Sequence, residues 1–169
     1  MLNSLMHIGL VGLAGSGKDT AASILCASLN YKIESFAAEL KRTCLFLGWD
    51  GEKDARGRKL LQDVGMAFRE YSEDIWVNLT CGKLLPNVPH VFSDVRFINE
   101  AEYIKNKLNG ILIRIIRNDL ALTETHEHIS ESGQVEIPVD YVILNDGSID
   151  ELQQKILQIV EGEIYKRNL

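Results

Sequence analysis

Apolar residues in this chain follow two rhythms. Short apolar runs bounded by glycine or polar residues alternate with longer segments in which apolar positions recur every three or four residues. The first kind predicts buried strands and the second amphipathic helices. Strands are expected at about 6–11, 32–36, 90–93 (ending at Asp94), 111–116 and 139–144. A helix over Ala21 to Leu29 turns Ala21, Ile24, Leu25 and Leu29 to one side. A second, after Ser35-Phe36-Ala37, points Leu40, Cys44 and Leu47 inward and breaks at Gly48-Trp49-Asp50-Gly51. A third carries Leu60, Leu61, Val64, Phe68 and Tyr71, and a fourth, near 74–84, carries Ile75, Trp76 and Leu79. The fifth, about 97–108, buries Ala101, Ile104 and Leu108 and ends at Asn109-Gly110. The last shows Ile149, Leu152, Ile156, Ile159 and Val160 as one stripe, which Ile164 extends past Gly162. Ser148 and Glu151 form a capping box at its start.

Strand and helix alternate, so the sheet should be parallel and covered on both faces, an α/β fold. Two stretches exceed what crossovers need. The helices between the second and third strands read as a small lobe, 37–86, placed over a second substrate. Residues 52–59, with Arg56, Arg58 and Lys59, are charged and expected to be solvated. Residues 118–137 are polar and irregular, a lid-like insertion between two strands.

Composition narrows the function. At 169 residues the chain is one domain, and a hydrophobic fraction of 46% supplies a core. A net charge of −6 argues against an extended nucleic-acid surface, so an anionic ligand must meet a local cluster of cations. No apolar run reaches membrane-spanning length. The first residues lack the basic start of a signal peptide, so the cytoplasm is the expected compartment, a host's if the source is viral. Cys26, Cys44 and Cys81 lack metal-ligand spacing and read as reduced and mostly buried.

The chemistry concentrates at Gly12-Leu13-Ala14-Gly15-Ser16-Gly17-Lys18-Asp19-Thr20, set between the first strand and the first helix. That is a P-loop in its required context. Glycines let the backbone turn its N–H groups around an anion, and the helix N-terminus adds donors and partial positive charge. Ala14 to Thr20 should therefore bind the phosphate tail of a nucleotide, with Lys18 on the outer phosphates. The position after the lysine usually carries Ser or Thr for Mg²⁺; here it is Asp19, and the hydroxyl follows at Thr20. These two are the expected metal contacts, and Asp19 also suits a helix N-terminus without any metal. Asp94 ends a strand, where α/β sheets hold ligands, and Arg96 follows it.

The full series resembles the deoxynucleoside monophosphate kinases of the phage type, within the P-loop nucleoside monophosphate kinases. The resemblance rests on the loop with its Gly-Lys-Asp-Thr ending; Ser35-Phe36-Ala37 with Leu40-Lys41; Arg58-Lys59-Leu60-Leu61-Gln62 with Gly65; Trp76-Val77; Ser93-Asp94-Val95-Arg96 with Glu100; His128-Ile129-Ser130-Glu131; Asp140-Tyr141-Val142-Ile143; and Asn145-Asp146-Gly147-Ser148. It implies a three-layer P-loop kinase fold with a five-stranded parallel sheet, an inserted acceptor lobe and a lid. It also implies ATP as donor, Mg²⁺ as cofactor, and nucleotides rather than macromolecules as partners; a homodimer stays open. Asp94 and Glu100 would lie on the acceptor's side and Arg96 would neutralise the transferring phosphate, giving Lys18, Arg96 and Asp94 as the catalytic set. Lys41 and Arg58 are expected at the acceptor's monophosphate, with Gln62 beside them. Phe36 and Trp76 are candidates to stack on its base, or else core aromatics. Arg117 would reach the donor from the start of the lid, Asn145 and Gly147 would line its adenine, and His128 would serve the lid or a phosphate. His126 and His128 lack the spacing of a zinc site. P-loop phosphomevalonate kinases share the Gly-Lys-Asp loop and the Ser-Asp-x-Arg element and form the alternative. A nucleotide-dependent switch is the other class, although the Asn-Lys-x-Asp base reader of GTPases is absent.

Overall fold

The computed structural model of the chain describes residues 5–117 and 136–169. Five strands form one sheet: β1 (Ile8–Val11), β2 (Lys32–Glu34), β3 (His90–Val95), β4 (Ile111–Ile116) and β5 (Tyr141–Leu144). All pairings are parallel, in the order β2-β3-β1-β4-β5. Six helices accompany them among the described residues: α1 (Lys18–Leu29), α2 (Phe36–Phe46), α3 (Ala55–Tyr71), α4 (Ile75–Cys81), α5 (Ile98–Asn106) and α6 (Ile149–Arg167).

β1 is buried at every residue. A strand that is apolar throughout, rather than at alternate positions, has to be covered on both faces. One face packs Ile8, Leu10, Ile113 and Ile115 against Leu25 of α1 and Leu152, Ile156 and Val160 of α6. The other packs Val11, Phe92 and Leu112 against Phe36, Val77 and Ile104, from α2, α4 and α5. The result is three layers. Caps set the helix starts: Asp54 accepts from Gly57 N at 2.7 Å, and Ser148 accepts from Glu151 N at 3.2 Å.

The topology opens a crevice at the centre. After β1 the chain packs α1 on one face and runs outward to β2; after β3 it packs α5 on the other face and runs to β4. Neighbouring strands whose connections leave in opposite directions part at their C-terminal ends, where ligands of such sheets sit. β3 also has one extra residue between the pairs Gly9–Phe92 and Val11–Val95. Such bulges re-aim side chains beside functional sites, and this one brackets Ser93 and Asp94.

Some expectations are corrected. Leu47 is 70% exposed and Ile149 66% exposed, because each lies at a helix end with nothing packed over it. Tyr71 closes α3 and is 87% exposed. Residues 52–59 are exposed as expected, apart from Gly57, and 55–59 form the first turns of α3, started by the Asp54 cap. Cys26 is exposed on α1, while Cys44 is buried and Cys81 half-buried. Apart from Glu136 and Ile137, the insertion 118–137 lies outside the described residues, and His128 with it.

Candidate active site

The loop after β1 takes its shape from its glycines. Gly12, Gly15 and Gly17 hold φ of 148°, 79° and 106°, conformations that strain any residue with a Cβ. Lys18, the first residue of α1, is buried, and its Nζ donates to the carbonyls of Gly12 at 2.6 Å and Leu13 at 2.7 Å. The ammonium thus lies folded against its own loop. Ser16 Oγ is buried without a hydrogen-bond partner among the described residues, a polar atom left over at the loop. Asp19 is exposed in the first turn of α1, with Thr20 half-buried after it.

A cleft of about 800 Å³ runs from this loop across the C-terminal ends of β1 and β3. Ala14, Gly15, Lys18 and Asp19 form one end. Asp94 and Arg96 lie across from them, from the end of β3. The far wall comes from α2, with Phe36 and Lys41, and α3, with Arg58, Gln62, Gly65 and Arg69. The α3 residues are spaced three and four apart, so one face of that helix is given to the cleft.

Two carboxylates in the cleft are occupied by the fold. Asp94 Oδ1 accepts from Phe36 N at 2.9 Å, and Oδ2 accepts from Ser35 Oγ at 2.6 Å and Ala37 N at 3.0 Å. It caps the start of α2 from another strand, satisfying amides that the helix cannot bond itself. Glu100 is almost fully buried and accepts from Arg96 N at 2.8 Å, Phe97 N at 3.2 Å and Arg69 Nη2. Burial pushes its carboxyl up to about 7, against the pull of the Arg69 guanidinium. Arg69 also lies 3.7 Å over the Phe97 ring, so one arginine fastens α3 to the head of α5.

The aromatic candidates are inside. Phe36 stacks on Phe92 at 5.0 Å, and Trp76 is 2% exposed with its Nε1 donating to Gly65 O at 3.1 Å. Trp76 still contributes to the cleft wall. Burial, and then Lys53, hold the Lys41 ammonium below its ordinary range. Arg117 is exposed just past β4. Asn145 follows β5 and is buried against the loop, its Nδ2 donating to Ser16 O at 2.8 Å. The Glu151 side chain folds over Gly147.

Comparison with known proteins gives the family of the chain. Residues 49–156 match the model of the deoxynucleotide monophosphate kinase family. A protein of Acanthamoeba polyphaga mimivirus, named for deoxynucleotide monophosphate kinase activity, is 36% identical over 190 aligned positions, covering 94% of this chain and 97% of its own. The chain belongs to the deoxynucleotide monophosphate kinase family. Its members are phosphotransferases, so this is a nucleotide kinase. Among solved structures the fold resembles shikimate kinase from Acinetobacter baumannii, with a TM-score of 0.55, 19% identity and coverage of 95% of this chain and 96% of that one. Shikimate kinase from Aquifex aeolicus gives a TM-score of 0.52 at 22% identity, covering 94% and 98%. These two show the α/β P-loop kinase architecture alone.

The kinase's cleft holds more than sequence reasoning found. Arg69 and Lys53 both line it. Arg69 was legible: it continues the spacing of Arg58, Gln62 and Gly65 on one helical face. Lys53, in the connection before α3, follows no periodic pattern. Ser16, Gly17, Thr20, Arg117, Asn145 and Gly147 lie outside the cleft wall. No cluster of three or more His, Cys, Asp or Glu suited to a metal occurs among the described residues, and none of their helices is long and apolar enough to cross a membrane.

Proposed function

We propose that this kinase transfers the terminal phosphoryl group of ATP to a deoxynucleoside monophosphate, giving the diphosphate. One observation carries the reading. In a chain of net charge −6, one cleft gathers Lys18, Lys41, Lys53, Arg58, Arg69 and Arg96. Its acids are Asp19, Asp94 and Glu100, and the last two are engaged in capping and pairing. Such a cleft suits two phosphorylated ligands brought end to end.

The loop amides and Lys18 take the donor's tail. Lys18 exchanges the carbonyls of Gly12 and Leu13 for phosphate oxygens as the tail arrives. Lys41 and Arg58 hold the acceptor's monophosphate from the 37–86 lobe, with Gln62 beside them. Arg96, between the two ends, neutralises charge as it spreads over the transferring group. Phosphoryl transfer needs alignment and charge neutralisation more than covalent help. Asp19 and Thr20 offer hard oxygen donors at the loop, which fits a Mg²⁺ held chiefly by phosphates and water. When bound, that ion screens the phosphate oxygens. Arg117, exposed just past β4, would reach the donor's phosphates.

The test is coupled ADP release with each deoxynucleoside monophosphate and with phosphomevalonate. ADP release that depends on at least one of the nucleotides is expected. Turnover with phosphomevalonate alone would assign the cleft to that family, and slow hydrolysis indifferent to any acceptor would mark a switch.

A further inference from the structure

We infer that Asn145 is a positioning residue for the phosphate loop: its side chain, reaching from the end of β5, sets the plane of the Ser16–Gly17 peptide. The inference rests on reading that loop as the donor's phosphate site.

Asn145 is anchored at its own backbone, where its N–H donates to Ile116 O at 2.7 Å at the end of β4. Its side chain then crosses to the loop, and Nδ2 donates to Ser16 O at 2.8 Å in a buried contact between residues 129 apart in sequence. The fit is close. A Cβ on Gly17 would lie 2.4 Å from Nδ2, so the glycine is needed for this approach as well as for its φ of 106°.

A trans peptide is planar, and its C=O and N–H point to opposite sides. Holding the Ser16 carbonyl toward Asn145 therefore turns the Gly17 N–H to the other side. Three of the loop's other carbonyls are also taken. Those of Gly12 and Leu13 meet Lys18, and that of Gly17 meets Ala21 N at 2.9 Å inside α1. When Lys18 leaves to meet phosphate, the Gly12 and Leu13 carbonyls lose its bonds, and that of Leu13 keeps Ser16 N at 3.1 Å. The Asn145 bond holds a different carbonyl and does not involve the lysine. It keeps one donor aimed during the exchange, so less ordering is left to the binding step.

The experiment measures binding of inorganic tripolyphosphate, ATP and a deoxynucleoside monophosphate by calorimetry to the wild type, Asn145→Ala, Asn145→Asp and Lys18→Ala. Tripolyphosphate carries the tail without the base. The alanine variant should bind it about tenfold more weakly, the worth of one lost hydrogen bond. The aspartate variant keeps the volume and remains usable if the alanine variant is too unstable to titrate. It should weaken binding by at least about tenfold, because its carboxylate faces a carbonyl and adds negative charge. Monophosphate affinity should stay within about twofold of the wild type in both, since additivity holds for independent sites. Unchanged tripolyphosphate affinity in the Asn145 variants would overturn the inference. If ATP binding alone fell, Asn145 would belong to the adenine site instead. Tripolyphosphate binding that is absent in the wild type, or intact in Lys18→Ala, would instead bring down the reading of the loop itself.

Discussion

Asp94 gives the sharpest quantitative expectation, because its carboxylate accepts three hydrogen bonds from within the protein, all at the start of α2. Replacing it with alanine removes one bond from a hydroxyl and two from the first amides of α2. Loss of a helix cap costs about 1 kcal/mol, and a hydrogen bond to a charged acceptor is worth about 1.5–3 kcal/mol. Water reaches part of this half-buried site and recovers some of that. A destabilisation of about 3 kcal/mol is therefore expected for Asp94→Ala, or a Tm lower by about 9 °C for a chain of this length. Asp94→Asn keeps the volume and one acceptor but presents an NH₂ to the second side, and should cost about half as much. Ser35→Ala removes only the hydroxyl bond and should cost about 1 kcal/mol. Urea unfolding of the three single variants and the Ser35/Asp94 double variant measures these values and their coupling. Asp94→Ala within about 0.5 kcal/mol of the wild type, the range of an ordinary surface change, would refute the capping argument.

Lys18→Ala and Arg96→Ala should each lose at least about 3 kcal/mol of transition-state stabilisation, read as kcat/KM in the ADP-release assay; wild-type turnover in either would mean its role is misassigned. His7 accepts from His90 N at 3.2 Å and stacks on the His90 ring, and burial, followed by the His90 charge, lowers its pKa to about 4. Its unfolded form binds a proton near 6.5 and its folded form does not, so stability is whole above that pH and is lost as pH falls toward 4. Screening leaves about 2 kcal/mol of this, which His7→Gln should remove from the difference between unfolding at pH 7.5 and pH 4.5. Gly57→Ala would set a Cβ 1.9 Å from Glu52 O, a backbone atom that cannot swing aside. It should cost about 2 kcal/mol or more in thermal unfolding, and a neutral result would show that the turn before α3 yields freely.

The sequence was most readable where covalent geometry leaves few choices. The loop could be placed because its glycines, lysine and flanking apolar runs admit one arrangement around an anion. β4 was readable from end to end, Ile111 to Ile116, since a run buried on both faces has no other reading. Helix ends were less so. Periodicity puts Leu47, Tyr71 and Ile149 on an inward stripe, yet at a terminus the stripe can outrun whatever it packs on. Asp94 shows a different limit. Its position marked it for a cleft, but whether a carboxylate faces a ligand or a helix start depends on how Ser35 and Phe36 come to rest beside β3. That contact joins residues 57 to 59 apart in sequence, and local patterns do not carry it.

The strand order has a consequence for how such an enzyme can change. The phosphate loop leaves from the middle of the sheet, with strands on both flanks, whereas α2, α3 and α4 all hang from the single connection between the rim strand β2 and its neighbour β3. If the loop grips the donor and that excursion the acceptor, as proposed, remodelling the excursion would swap what is phosphorylated and leave intact the machinery that supplies the phosphate. New substrates can be acquired by editing one segment of chain while the rest of the molecule stands still.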